Sequence, residues 1–145
     1  MSLVEDFLTQ KEEQEIIEAI RVAEKNTSGE IRIHIENQNS GNSETRAMEL
    51  FHYLKMDNTK LQNAVLIYVA IDNKVFSIYG DKGINGVVGL DFWDSIKDII
   101  ASHFIKGQFK QGLIDGVLKV GEQLEAHFPW HNHDIDELPN EISKG

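Results

Sequence analysis

Residues 64–71 form an unbroken apolar run, Ala64, Val65, Leu66, Ile67, Tyr68, Val69, Ala70 and Ile71, too long and uniform for a strand with one wet face. Asp72 and Asn73 supply a turn. Residues 74–79 then return, with Val75 and Ser77 alternating against Phe76 and Ile78, so this strand meets packing on both sides. The hairpin stops at Gly80-Asp81-Lys82-Gly83, which places a carboxylate at the end of a core strand. Upstream, residues 30–36 alternate strictly. Ile31, Ile33 and Ile35 point one way, and Glu30, Arg32, His34 and Glu36 the other. That pattern predicts a strand packed on one face and at least partly wet on the other, near a sheet edge or an uncovered patch.

Helical spacing fills the intervals. Thr9 with Glu12 makes a capping box, and Ile16, Ile20 and Ala23 lie on one stripe, with Ile17 beside it, before Asn26-Thr27-Ser28-Gly29 ends the helix. Residues 37–43 read as a polar loop. Residues 44–55 predict a second helix with Met48, Phe51 and Leu54 inward. Gly83, Gly86 and Gly89 imply an irregular or briefly helical segment. Asp91 is placed to cap a helix that presents Phe92, Ile96, Ile99 and Ile100, flanked by Trp93 and Phe104. The last major helix, about residues 110–127, carries Leu113, Val117, Val120 and Leu124 at helical spacing. It also contains Gly112, Gly116 and Gly121, each costing roughly 1 kcal/mol of helix propensity, which implies close approach of another element. Phe128-Pro129 stops it, and an acidic tail runs from about residue 130.

The order helix, strand, helix, hairpin and further helices predicts one α/β domain over residues 1–145, a three- or four-stranded mixed sheet with helices packed on it. Its 145 residues allow one real core and not two. With 14 Lys plus Arg against 24 Asp plus Glu, the formal charge of -10 disfavours nucleic acid and anionic lipid as partners and favours cations or a basic protein face. The chain has no cysteine, which excludes disulfides and thiolate chemistry. No signal-peptide pattern or membrane-length apolar run is visible, so a cytoplasmic protein is the expectation, and packing of the glycine-containing last helix within the chain makes it a monomer.

Several stretches together resemble the TPM domain family, whose members include thylakoid-lumen proteins. They are Thr27-Ser28-Gly29-Glu30 leading into Ile31, Ile33 and Ile35; Asn63 through Ala70; Phe76 to Gly80 with Asp81; and Phe128-Pro129 through Glu137-Leu138-Pro139. The ending with Glu137-Leu138-Pro139 resembles a bacterial subgroup of small TPM proteins without the membrane anchor common elsewhere. The resemblance implies a central sheet between helices. It also implies divalent cations near acidic residues and, in some relatives, acid phosphatase activity. Glu30 matches the acid after the family's glycine, and Asp81 a polar position after the hairpin.

The acidic set to test as cation ligands is Glu30, Asp81, Asp134, Asp136 and Glu137, with Ca²⁺ the first choice and Mg²⁺ the second. Hard cations take several oxygen ligands, which separate loops can supply, and no EF-hand spacing is present. The expected role is structural, regulatory or in protein assembly. The alternative is a metal-assisted phosphatase acting on phosphomonoesters, with Arg32 beside the acids and Thr27 or Ser28 near a phosphate. Yet no P-loop, cysteine loop or Asp-x-Asp-x-Thr signature appears. His131 and His133 with Asp134 have a spacing that suits Zn²⁺ or Ni²⁺, but surface histidines are the favoured reading. Two opposed carboxylates for glycoside hydrolysis are the weakest reading.

Overall fold

The computed structural model describes residues 7–38, 41–130 and 142–144. Helix α1 (Gln10–Glu24) opens with the expected capping box: Thr9 Oγ1 accepts from the Glu12 amide at 3.1 Å, and Glu12 Oε1 accepts from the Thr9 amide at 2.9 Å. There follow β1 (Glu30–Glu36), α2 (Ser43–Tyr53), β2 (Ala64–Ala70) and β3 (Val75–Gly80). The chain continues through the short α3 (Lys82–Asn85), α4 (Leu90–Phe104), α5 (Phe109–His127) and β4 (Ile142–Lys144). Helix α4 departs from the expected start: Gly89 is its N-cap, without a side-chain cap bond, and Asp91 lies within the first turn.

The four strands run in the order β3-β2-β1-β4. β1 is parallel to both β2 and β4, and β2 is antiparallel to β3, so the sheet is mixed. One face carries Ile31, Ile33, Ile35, Val65, Ile67 and Val69 and packs on α1, α4 and α5. The other carries Ala64, Leu66, Tyr68 and Ala70 and packs on Ala47, Leu50 and Phe51 of α2, with Met56 beyond it. The result is three layers, and every residue of β2 is buried. Burying apolar surface on both sides of β2 is what its unbroken apolar run requires.

The glycines of α5 mark close packing. A Cβ at Gly116 would lie 2.8 Å from Ile100, one at Gly112 3.0 Å from Phe104, and one at Gly121 2.6 Å from the Cβ of Ala23. Helix α5 therefore wedges between α4 and α1. Two further expectations fail. Met48 is 41% exposed, because Ala47 and Leu50 flank Phe51 on the inner stripe instead. β1 is a central strand, and its Glu30, His34 and Glu36 are buried rather than wet. β4 closes its outer side, and Arg46 of α2 reaches its polar face at Glu36.

Candidate functional site

At the N-terminal end of β1, Glu30 pairs with Ala64, and the Asp81 amide donates to the Ala64 carbonyl at 3.0 Å from the other side. Glu30 and Asp81 thus straddle Ala64, two strand spacings or about 10 Å apart at their Cα atoms. A Cβ on Gly80 would meet Trp93 of α4, so Gly80 faces that layer, and strand alternation turns Asp81 to the opposite face, which it shares with Glu30. The intervening position on this face is the small Ala64. Asp81 is 6% exposed and Glu30 2%. Asp81 Oδ1 accepts from the Lys82 amide at 2.8 Å as the cap of α3, while Oδ2 is buried and accepts no hydrogen bond from any described residue.

The chain leading from α2 into β2 closes over this corner. Gly83 donates its amide to the Gln62 carbonyl at 2.8 Å, and a Cβ there would lie 2.2 Å from the Leu61 oxygen. Only glycine permits that approach. The same loop holds Thr59, 7% exposed, whose Oγ1 also has no partner among the described residues. Asn63, 1% exposed, donates from Nδ2 to Ser28 Oγ at 3.2 Å, and the Glu30 amide donates to its carbonyl. Thr27, a suggested phosphate contact, is 1% exposed and fully engaged: its hydroxyl donates toward the Leu124 and Phe128 carbonyls and accepts from the Gly29 amide at 3.0 Å. It ties the start of β1 to the end of α5.

Asp134, Asp136 and Glu137, like His131 and His133, lie outside the described residues. Of the described residues on either side of them, Trp130 donates its amide to the Asn26 carbonyl, and Ile142 pairs with Ile33. Among the described residues, no group of three or more His, Asp or Glu side chains is arranged to hold a metal.

The opposite end of β1 carries a polar network that its alternation did not reveal. Glu36 accepts from Arg46 Nε at 3.0 Å and Nη2 at 2.9 Å, and from the Tyr68 hydroxyl at 2.5 Å. His34 Nε2 lies 3.4 Å from Glu36 Oε1, and its Nδ1 lies 3.0 Å from Ser143 Oγ. Burial alone would raise the Glu36 carboxyl, but the Arg46 and Tyr68 hydrogen bonds hold it below its ordinary value. Burial pushes the His34 imidazole down and, with the Glu36 hydrogen bond, pushes the Tyr68 phenol up. The network borders an open cleft of about 400 Å³ lined by Glu36, Gln38, Gly41, Asn42, Arg46 and Glu49. The cleft sits outside the carboxyl end of β1, where the chain departs to β2 on one side and β4 later returns on the other. That is the switch point at which open α/β sheets bind ligands. Of this set the sequence signalled His34 and Glu36, as polar positions on one face of the strand; nothing local marks Arg46 or Ser143 as their neighbours.

A model of the TPM domain matches residues 3–123. The chain belongs to the TPM domain family. Its fold matches the NMR structure of the BA42 protein from the psychrophilic bacterium Bizionia argentinensis at a TM-score of 0.93, with 61% identity over 100% of both chains. A second NMR structure, the N-terminal domain of a P. gingivalis protein, is 21% identical, with a TM-score of 0.71 over 88% of this chain and 83% of that one. The N-terminal domain of cg2496 from Corynebacterium glutamicum is 12% identical, with a TM-score of 0.60 over 89% and 84%. These two share the fold of this TPM domain. No curated protein matches the chain. Among its described residues, no helix is long and apolar enough to cross a membrane.

Proposed function

We propose that this TPM domain binds a divalent cation, Ca²⁺ first and Mg²⁺ second, at the corner formed by Asp81 and Glu30, in a structural, regulatory or assembly role. The observation that carries this reading is Asp81 Oδ2, a buried carboxylate oxygen without a hydrogen bond among the described residues. Desolvating a charged oxygen without a partner is costly, and a cation offsets that cost. Glu30 shares the face and the sheet end, with Ala64 as the strand position between them. The Thr59 hydroxyl belongs to the loop that packs on the Asp81 turn. Carboxylate and neutral oxygens from separate segments are the donor set that a hard cation takes. Asp134, Asp136 and Glu137, outside the described residues, complete the proposed ligand set.

The test is a calcium and magnesium titration of the wild type, Asp81→Asn and Glu30→Gln, followed by amide NMR shifts and calorimetry. Saturable shifts centred on residues 28–30, 59–64 and 80–84, lost in Asp81→Asn, are the expected result. Shifts spread evenly over the acidic surface and unchanged in the variant would sink the reading.

A further inference from the structure

At the other end of the hairpin, on the face packed by α4 and α5, lies an apolar cavity of about 640 Å³. Phe7, Phe76, Phe104 and Phe109 form a continuous aromatic wall: ring centroids stand 4.7 Å apart for Phe7–Phe109, 5.2 Å for Phe104–Phe109 and 5.4 Å for Phe76–Phe104. The volume falls in the roughly 300–1,000 Å³ range of small-ligand pockets. The cavity is open to solvent beside Ile105, which is 88% exposed.

Lys74 is the charged residue of the lining. It occupies the last position of the turn between β2 and β3 at φ 57°, in the left-handed region where glycine or asparagine costs less. Strain kept at a non-glycine residue points from the outlier to a use for its side chain. Among the described residues Lys74 forms no ion pair, and it is exposed. A second lysine, Lys106, stands in the α4–α5 turn between the lining residues Ile105 and Gly107. In a chain of formal charge -10, this cavity has a lysine in its lining and a second beside it.

We propose that this cavity binds a single-tailed apolar carboxylate, with the tail against the phenylalanine wall and the carboxylate at Lys74. Apolar burial supplies most of the affinity, and the lysine selects the headgroup. This site is separate from the Asp81 corner and stands or falls independently of it.

Decanoate below its micelle concentration, titrated into the wild type and followed by amide NMR shifts, tests the idea, with decanol as the uncharged arm. Saturable shifts confined to Phe7 and to residues 69–76 and 101–109 are expected, with decanol at least about fivefold weaker. Lys74→Met should lower decanoate affinity about fivefold and leave decanol unchanged. Ile105→Glu, a change at an exposed position that leaves the core intact, should weaken decanoate more than decanol. Equal affinity for acid and alcohol, or indifference to both substitutions, overturns the headgroup assignment. Shifts scattered outside these lining positions overturn the site.

Discussion

The Glu36 carboxylate and the Arg46 guanidinium meet in two parallel hydrogen bonds of 2.9 and 3.0 Å, joining the last residue of β1 to the first turns of α2. Such a fork fixes orientation as well as distance, because a planar guanidinium matches both carboxylate oxygens at once. It sets the angle at which α2 leaves the loop that borders the 400 Å³ cleft.

Arg46→Ala should destabilise the domain by about 2–3 kcal/mol, since it strips charge-assisted hydrogen bonds from a carboxylate that is 7% exposed. The Arg46 side chain is itself 38% exposed, which keeps the loss below that of a fully buried pair. Urea unfolding reads it directly. A midpoint unchanged from wild type would show that the fork orients the helix without holding the fold.

Stability should decline on acidification in two stages. The folded His34 titrates below its ordinary 6.5 because burial disfavours its charged form, so the unfolded chain takes up the proton first. Its contribution is complete above about 6.5 and is lost as pH falls through the folded value. Glu36, held below 4.5, contributes fully above 4.5 and loses that contribution as pH falls toward its own folded value. Urea midpoints across pH 3 to 8 measure both stages, roughly bounded by those reference values, and His34→Gln should abolish the upper one alone.

Gly121→Ala should destabilise by roughly 1–3 kcal/mol even though alanine is the better helix former. The new methyl would lie 2.6 Å from the Ala23 Cβ and 2.9 Å from its Cα, and backbone cannot swing aside as a side chain can. Gly86→Ala is the control, because its Cβ meets nothing nearer than the Lys82 carbonyl at 3.5 Å. Thermal unfolding of the pair should separate them clearly.

Asp81→Asn should have opposite effects with and without cation. In chelator, it replaces a buried charged oxygen lacking a partner by a neutral amide, and the variant should be the more stable protein. With calcium present, the wild type gains stability by mass action and the variant does not, so their order reverses. Calorimetric melting in both buffers checks the crossing; parallel shifts in the two proteins would count against Asp81 as a ligand.

Where local periodicity and burial agreed, the fold was legible in the sequence. The apolar run of β2, the Thr9 capping box and the glycines of α5 each carry their structural reason locally. β1 shows the limit. Alternation of Ile31, Ile33 and Ile35 with polar residues marks a strand equally well whether its second face meets water or a polar network. Which one it meets depends on Arg46, Tyr68 and Ser143, from three other elements, and no spacing within residues 30–36 encodes them. Met48 was misplaced for a related reason: α2 rests on the sheet through the small Ala47, and the methionine beside it falls outside the contact. Asp81 was legible as the carboxylate closing the hairpin, but its orphan oxygen depends on how residues 54–63 fold over it.

The pairing of β1 with β4 joins His34 to Ser143 across 109 positions of chain. During synthesis the outer edge of β1 therefore stays open while α2, the hairpin and all three later helices emerge and fold. A nascent chain halted after α5 would present the backbone of a central strand as an edge, the geometry that recruits foreign strands. The few residues of β4 thus act as a late seal, and the moment of their arrival separates an aggregation-prone chain from a protected one.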